Sequence, residues 1–233
     1  MKGTVLILVN GILTWPGDAK NWNKRGATHV NTEFFEMGFC ADTCEYFCTP
    51  LGRAIWQRNR ENKLAALIHD YSLRRFSIII GAHSNGCDVA LGALQRLGWP
   101  RIQALHLFSG TTEADFRHNG LNQAIERRRI GDVYVYVAGR DIWLRIARWP
   151  IGELLGYDGQ WHWDNLFSLK GAMGYVGAKR NVSLEAAPAV HTHVEPKFGH
   201  STWWSGRNFR ISMHQMALPN HHGPHYEIIR HHS

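Results

Sequence analysis

The sequence predicts an α/β domain with a mostly parallel sheet, because short apolar runs alternate with helical segments along the chain. The apolar runs have almost no polar interruption, which is typical of strands buried on both faces. The predicted strands are Thr4–Val9, Glu45–Thr49, Phe76–Ile80, Ile102–Phe108, Val133–Ala138 and Ala189–Val194. The predicted helices cover Leu64–Tyr71, Val89–Leu97, Leu121–Arg129 and Asp141–Arg148.

Two internal segments and the tail do not follow this alternation. Residues 14–39 and 149–177 are rich in Gly, Asn and Trp, and both follow predicted strand ends. We therefore expect loop or lid excursions there, on the face where ligands bind in such sheets. The tail 219–233 is polar and His-rich, and we expect it to be loosely held. The chain 1–233 is predicted to form one domain.

Composition argues against several classes of protein. A hydrophobic content of 44% with 19% charged residues indicates a globular chain. No apolar stretch approaches the roughly 20 residues of a membrane span, and the run Val5–Val9 is too short for a signal peptide, so we expect a soluble, cytoplasmic protein. The net charge of +7 favours weak association with anionic surfaces. Nucleic-acid binding is not favoured, because the basic run Arg127–Arg129 lies at a predicted helix end, where cations suit the helix dipole.

Cysteine spacing favours structural thiols over a metal site. Cys40, Cys44 and Cys48 are evenly spaced, but no second cysteine pair completes a zinc-binding pattern. A disulfide bond between Cys48 and either Cys40 or Cys44 stays open at this point.

One turn carries a candidate nucleophile. The strand Phe76–Ile80 leads directly into the hexapeptide Gly81-Ala82-His83-Ser84-Asn85-Gly86, and a helical pattern follows. A serine on a sharp strand-to-helix turn needs small residues two positions to either side, and Ala82 and Gly86 meet that need. The turn would place Ser84 at a helix N-terminus, whose amides favour developing negative charge. The alternative is a serine that merely caps the helix.

With this turn the sequence resembles the α/β-hydrolase family, and particularly its small lipases and esterases. The resemblance implies a three-layer fold with a minimal, mostly parallel sheet of about six strands, because the strand that precedes the oxyanion loop begins almost at Met1. It also implies a serine hydrolase that cleaves carboxylic esters through an acyl-enzyme intermediate, with no cofactor and no metal.

The resemblance further implies the partners of Ser84. In this family an acid and then a histidine follow the nucleophile along the chain. Asp141, just past the strand Val133–Ala138, is the implied acid, and a helix N-cap is its alternative role. His200, on a loop after the last strand, is the implied base. Further candidate acids are Asp115, Asp158 and Asp164.

The implied oxyanion hole consists of the backbone amides of Ile12 and Asn85. Gly11 permits the tight turn after the first strand, although Asn10 stands where related lipases commonly have a histidine. Four tryptophans in the irregular segments or beside His200 are predicted to bind a hydrophobic substrate, either a small-molecule or a lipid-like ester, with core packing as the alternative role. These are Trp15, Trp149, Trp163 and Trp203.

Other functions remain open from the sequence. One is a non-catalytic protein of the same fold that binds a ligand or partner. Another is a metal-dependent hydrolase that uses His191 and His193, although a His-x-His pair on a strand is a weak metal motif. Thioesterases, amidases and acyltransferases use the same serine, acid and histidine and are not separated by sequence.

Overall fold

A six-stranded, all-parallel sheet forms the centre of the protein, as seen in a computed structural model that describes residues 3–11, 16–47, 52–112, 116, 119–142, 144, 173–178 and 182–218. The strands are β1 (Thr4–Val9), β2 (Phe39–Cys44), β3 (Ser77–His83), β4 (Ile102–Phe108), β5 (Ile130–Ala138) and β6 (Val190–Glu195). They are arranged in the order β2-β1-β3-β4-β5-β6. The predicted parallel sheet of about six strands is thus confirmed.

Helices cover both faces of this sheet. They are α1 (Trp22–Glu33), α2 (Gly52–Leu73), α3 (Asn85–Arg96), α4 (Leu121–Glu126), α5 (Met173–Val176) and α6 (Gly206–Ala217). One buried cluster joins α2 and α3 to one face of the sheet, and a second joins α1 and α6 to the other face. The result is the three-layer architecture that the resemblance implied. None of the helices described is both long and apolar enough to cross a membrane.

Five of the six predicted strands are present, two of them with the predicted bounds. β1 and β4 begin and end where the sequence predicts. β5 begins three residues earlier than predicted, at Ile130, and β6 is shifted by one residue. β3 runs three residues further than predicted, to His83, so the strand ends immediately before Ser84.

The prediction of a strand over Glu45–Thr49 was wrong. Residues 45–47 have no regular structure, and residues 48 and 49 lie outside the described part of the chain. The strand at this place is β2, which pairs in parallel with β1 from Thr4↔Phe39 to Val9↔Cys44. β2 is an edge strand and only half-buried, so it carries polar residues such as Asp42 and lacks the apolar run that marks a central strand.

The structure also differs from the loop excursion predicted for residues 14–39, since α1 occupies much of that segment. The buried side of α1 includes Asn23 and Gly26 beside Trp22 and Val30, so it lacks a clean apolar stripe. Gly26 is needed there, because a Cβ at this position would lie 2.7 Å from a methyl group of Leu8. Of the second predicted excursion, 149–177, only residues 173–177 are described, and the tail 219–233 lies outside the described residues.

Candidate active site

Ser84 occupies a strained turn between β3 and α3. Its backbone angles are φ 55° and ψ −125°, a conformation that a residue with a side chain rarely adopts. The turn depends on close packing against the end of β1: a Cβ at Gly86 would lie 2.6 Å from the carbonyl oxygen of Asn10. Gly11 is confined less tightly, since a Cβ there would lie 3.0 Å from the Cβ of Ser84. The predicted turn is therefore present, with its glycine explained by contact.

This strained serine sits where a central strand of a parallel sheet, covered by helices on both faces, enters a helix. The chain has the α/β-hydrolase fold. In such a sheet the carboxyl ends of the strands form the binding edge. Ser84 follows β3 at this edge, and Asp141 follows β5.

His200 and Asp141 meet at this edge, although 59 residues separate them in sequence. The Nδ1–H of His200 donates to Oδ2 of Asp141 at 2.6 Å. The carboxylate is completely buried and the imidazole is largely buried. A charge-assisted hydrogen bond of this length, shielded from water, fixes both the orientation and the tautomer of the imidazole.

Asp141 also performs the capping role that was its alternative. Its Oδ1 accepts a hydrogen bond from the backbone N–H of Leu144, while Oδ2 accepts from His200. The two interpretations of Asp141 are compatible, because each uses a different oxygen. The other candidate acids, Asp115, Asp158 and Asp164, lie outside the described residues.

The loop that carries His200 is joined to the end of β5 by its main chain. The Gly139 N–H donates to the Glu195 carbonyl at 3.0 Å, and the Arg140 N–H donates to the Phe198 carbonyl at 2.8 Å. Gly139 allows this approach, since a Cβ there would lie 2.7 Å from the Cα of Pro196. These contacts bring the acid and the histidine loop together before any side chain is considered.

His83, the residue before Ser84, links the nucleophile turn to the His200 loop. Within the described part of the chain, Ser84 Oγ makes no hydrogen bond to His200, but the His83 ring contacts the His200 main chain. A nucleophile and its base often lie at loose geometry until substrate binds, so this arrangement is compatible with their pairing.

Asn10, at the position where the resemblance implied a histidine, is held by hydrogen bonds with Tyr46. Its Nδ2 donates to the Tyr46 carbonyl at 2.9 Å, and the Tyr46 hydroxyl donates to the Asn10 carbonyl at 2.6 Å. This reciprocal pair connects the end of β1 to the chain after β2. Ile12 lies outside the described residues, while the Asn85 amide lies at the start of α3, next to Ser84.

Sequence analysis missed two residues that support the His200 loop. His83 donates from Nε2 to the His200 carbonyl at 2.9 Å, and burial lowers its pKa to about 3. Ser109, at φ 44°, accepts a hydrogen bond from the Trp203 indole at 3.1 Å. His83 was visible in the sequence as the residue before the nucleophile, but nothing in the sequence indicated its contact with His200.

Of the four tryptophans predicted to bind substrate, the structure describes only Trp203. It is buried, and its indole packs against Phe108 and Tyr136 besides its bond to Ser109. These contacts belong to the core beneath the His200 loop, and substrate contact by Trp203 stays a prediction. Trp15, Trp149 and Trp163 lie outside the described residues.

The sequence also left open metal sites built from cysteines or histidines. Among the described residues, no group of three or more His, Cys, Asp or Glu side chains is arranged to hold a metal ion. Cys40 and Cys44 are free thiols in β2, so neither pairs with Cys48. His191 donates to Asp132 at 3.0 Å and stacks on Tyr134. These contacts account for His191 as part of an edge strand.

A groove of about 1380 Å³ lies at the opposite, amino edge of the sheet. Its walls include Phe76, Arg101, Arg128 and Asp132. Among the residues that the structure describes, no histidine or cysteine lines it, and it is separated from Ser84 by the length of β3. The chemistry assembled around Ser84 does not use this groove.

Comparisons with known proteins bear on the fold. No protein-family model matches the chain, and no curated protein sequence is significantly similar to it. Among solved structures, TT1662 from Thermus thermophilus is similar with a TM-score of 0.51 at 12% identity, over 91% of this chain and 87% of that one. This similarity concerns the fold alone.

Two further solved structures are similar with TM-scores below 0.5. An uncharacterized protein from Bacillus cereus has a TM-score of 0.48 at 11% identity, and the match covers 93% of this chain and 60% of that protein. The esterase EaEST from Exiguobacterium antarcticum has a TM-score of 0.41 at 12% identity, over 94% of this chain and 91% of that one.

Proposed function

We propose that the protein is a serine hydrolase that cleaves carboxylic esters, with Ser84 as nucleophile, His200 as base and Asp141 as the acid that orients His200. The observation that carries the proposal is the 2.6 Å bond from His200 to the buried Asp141 carboxylate, beside a strained serine turn. The helix cap uses only Oδ1 of Asp141, so capping does not account for the bond between Oδ2 and His200.

The reaction would proceed by acyl transfer. Ser84 Oγ attacks the ester carbonyl carbon while Nε2 of His200 takes the hydroxyl proton. Asp141 keeps the other ring nitrogen protonated and stabilises the imidazolium that forms. His200 then gives its proton to the leaving alcohol as the C–O bond breaks, which leaves an ester between Ser84 and the acyl group. Water attacks that ester, its proton passes through His200 back to Ser84, and the carboxylic acid is released.

The backbone amides of Asn85 and Ile12 would stabilise the oxyanion. The Asn85 amide lies at the N-terminus of α3, where the helix dipole adds to the effect of the N–H group. In comparable sites one such donor contributes about 3–4 kcal/mol to transition-state stabilisation. No metal or organic cofactor enters this reaction.

An apolar ester, small-molecule or lipid-like, is the substrate class we favour. Exposed apolar side chains flank the carboxyl edge of the sheet, where substrate would approach. Ile142, next to Asp141, is 61% exposed, Phe47, after β2, is 37% exposed, and Trp56, near the start of α2, is 53% exposed. Such side chains can be covered by an acyl chain. Contacts from Trp15, Trp149, Trp163 and Trp203 belong to the same proposal.

Hydrolysis of p-nitrophenyl esters of increasing acyl length tests the proposal. We expect turnover by the wild type, with a preference among chain lengths, and loss of turnover in Ser84→Ala. Ser72→Ala is the matched control and should behave as wild type. Ser72 lies near the C-terminus of α2 and lines the groove at the amino edge of the sheet, away from Ser84. Activity that survives Ser84→Ala and is lost on chelation would replace this mechanism with a metal-dependent one.

A further inference from the structure

We propose that His83 is a positioning residue for catalysis, which holds His200 in line with Ser84 and Asp141 by donating a hydrogen bond from its Nε2 to the His200 main-chain carbonyl. This inference rests on the proposed function and adds to it a residue that precedes the nucleophile. His83 and His200 are 117 residues apart in sequence, and the bond between them is 2.9 Å long.

The His83 ring is held rigidly. His83 is the last residue of β3, and its backbone is paired with Phe108 of the neighbouring strand. Trp22 and Trp204 stack on each other with centroids 3.9 Å apart, and both meet the His83 ring edge-on. The donor, Nε2 of His83, is therefore held by the central sheet and by the Trp22 and Trp204 rings. The acceptor, the His200 carbonyl, lies on a loop.

The proton on His83 must be on Nε2, because a carbonyl oxygen only accepts hydrogen bonds. Nδ1 is then unprotonated. It faces the end of β1, where a Cβ at Gly11 would lie 3.3 Å from it. Burial lowers the pKa of His83 to about 3, so the ring stays neutral at physiological pH. Neutrality matters because the two histidine rings are only 4.8 Å apart, and a charge on His83 would oppose the imidazolium that forms on His200.

His200 is thus held at two points that serve different purposes. Asp141 fixes the ring through Nδ1, and His83 fixes the main chain through the carbonyl. Because His83 and Ser84 are consecutive, the second contact ties the base to the nucleophile through one peptide unit. Loss of this contact should slow proton transfer while leaving substrate binding unchanged.

Asn and Gln carry the same amide group at different distances from the backbone. The two variants of His83 therefore separate the position of the hydrogen-bond donor from the presence of a polar side chain. In His83→Gln the amide nitrogen can reach the position of Nε2, whereas in His83→Asn it reaches only the position of Nδ1. For His83→Asn we expect kcat for a p-nitrophenyl ester to fall about 10- to 100-fold with little change in KM. His83→Gln should retain most of the wild-type kcat.

Proton NMR supplies a readout that does not depend on turnover. The Nδ1–H of His200 in its bond to Asp141 should give a strongly deshielded resonance. We expect His83→Asn to lose or broaden this resonance and His83→Gln to keep it. Unchanged kcat and resonance in His83→Asn would overturn the proposal. Equal losses in both variants would also overturn it, since they would show that only the packing of the ring matters.

The wild type provides a further test if His83→Asn does not fold. In ¹⁵N NMR, His83 should be the Nε2–H tautomer and stay neutral down to about pH 4, and the opposite tautomer would refute the proposal. The outcome is also distinguishable from failure of the proposed function. If Ser84 does not react with acylating reagents while the NMR results are as expected, His83 positions His200 in a protein that is not a serine hydrolase.

Discussion

Substitution of Asp141 by Asn separates its two roles, because the two carboxylate oxygens have different partners. Oδ1 accepts from the Leu144 N–H and Oδ2 accepts from His200 Nδ1–H. Asparagine has one oxygen, and if that oxygen keeps the helix cap, its NH₂ group faces His200. A donor facing Nδ1 forces the imidazole proton onto Nε2, so His200 can no longer accept the proton of Ser84.

The expected consequence for catalysis is large. In triads of this kind the wrong tautomer lowers kcat about 10⁴-fold, which corresponds to about 5.5 kcal/mol in the activation barrier. The expected consequence for folding is small, since Asn caps helices about as well as Asp. Asp141→Ala should lose the same activity and in addition about 1 kcal/mol of stability, because the cap is lost.

Two measurements check this reasoning. Hydrolysis of p-nitrophenyl butyrate gives kcat, and urea titration gives the free energy of unfolding of the three proteins. We expect Asp141→Asn to be nearly inactive yet more stable than Asp141→Ala. If Asp141→Asn keeps kcat within ten-fold of wild type, Asp141 is only a cap and the acid must be sought elsewhere.

Three other predictions concern packing, pH and thiol reactivity. Gly86→Ala should lower the free energy of unfolding by about 1–3 kcal/mol, because its Cβ would lie 2.6 Å from the Asn10 carbonyl oxygen. Gly199→Ala is the control: apart from its chain neighbours, no atom of the described residues would lie closer than 3.6 Å to its Cβ, so the free energy of unfolding should change by less than about 1 kcal/mol. Equal effects in urea titration would contradict the close approach at Gly86. Burial lowers the pKa of His106 from 6.5 to about 3, so the unfolded chain takes up a proton at a higher pH than the folded protein does. The contribution of neutral, buried His106 to stability is therefore full above about pH 6.5 and is lost as the pH falls towards 3. Between pH 7 and 5 the free energy of unfolding should therefore fall by about 2 kcal/mol less in His106→Phe than in wild type, and equal slopes would show that His106 is not buried. Burial raises the pKa of Cys44 to about 12, so iodoacetamide should alkylate Cys44 in the folded protein at pH 8 at least about 1000-fold more slowly than in urea, as followed by peptide mass spectrometry.

The central strands were readable from the sequence because burial on both faces leaves a continuous apolar run. β1 and β4 lie inside the sheet, and their predicted bounds agree with the structure. β2 was not readable, since an edge strand that is half-buried carries Asp42 and Thr43 among its residues. α1 was missed for a related reason: it packs closely through Gly26, and close approach of a backbone leaves no apolar stripe to detect.

The candidate site was readable where local geometry limits the residue types. The turn at Ser84 needs small neighbours, so Ala82 and Gly86 reveal it in the sequence. Asp141 and His200 were placed by their order along the chain, and the structure brings them together. The contact of His83 with His200 could not be read in the same way, because it joins the end of β3 to a loop that is distant in sequence.

Covalent labelling of Ser84 tests the central claim most directly. The folded protein is treated with a fluorophosphonate, and the mass of the intact protein and of its peptides is measured, with Ser84→Ala as control. The proposed mechanism predicts one phosphonyl adduct, located on Ser84, and none in the variant or in urea-unfolded protein. An unlabelled Ser84 in folded wild-type protein would contradict the assignment of this chain as a serine hydrolase.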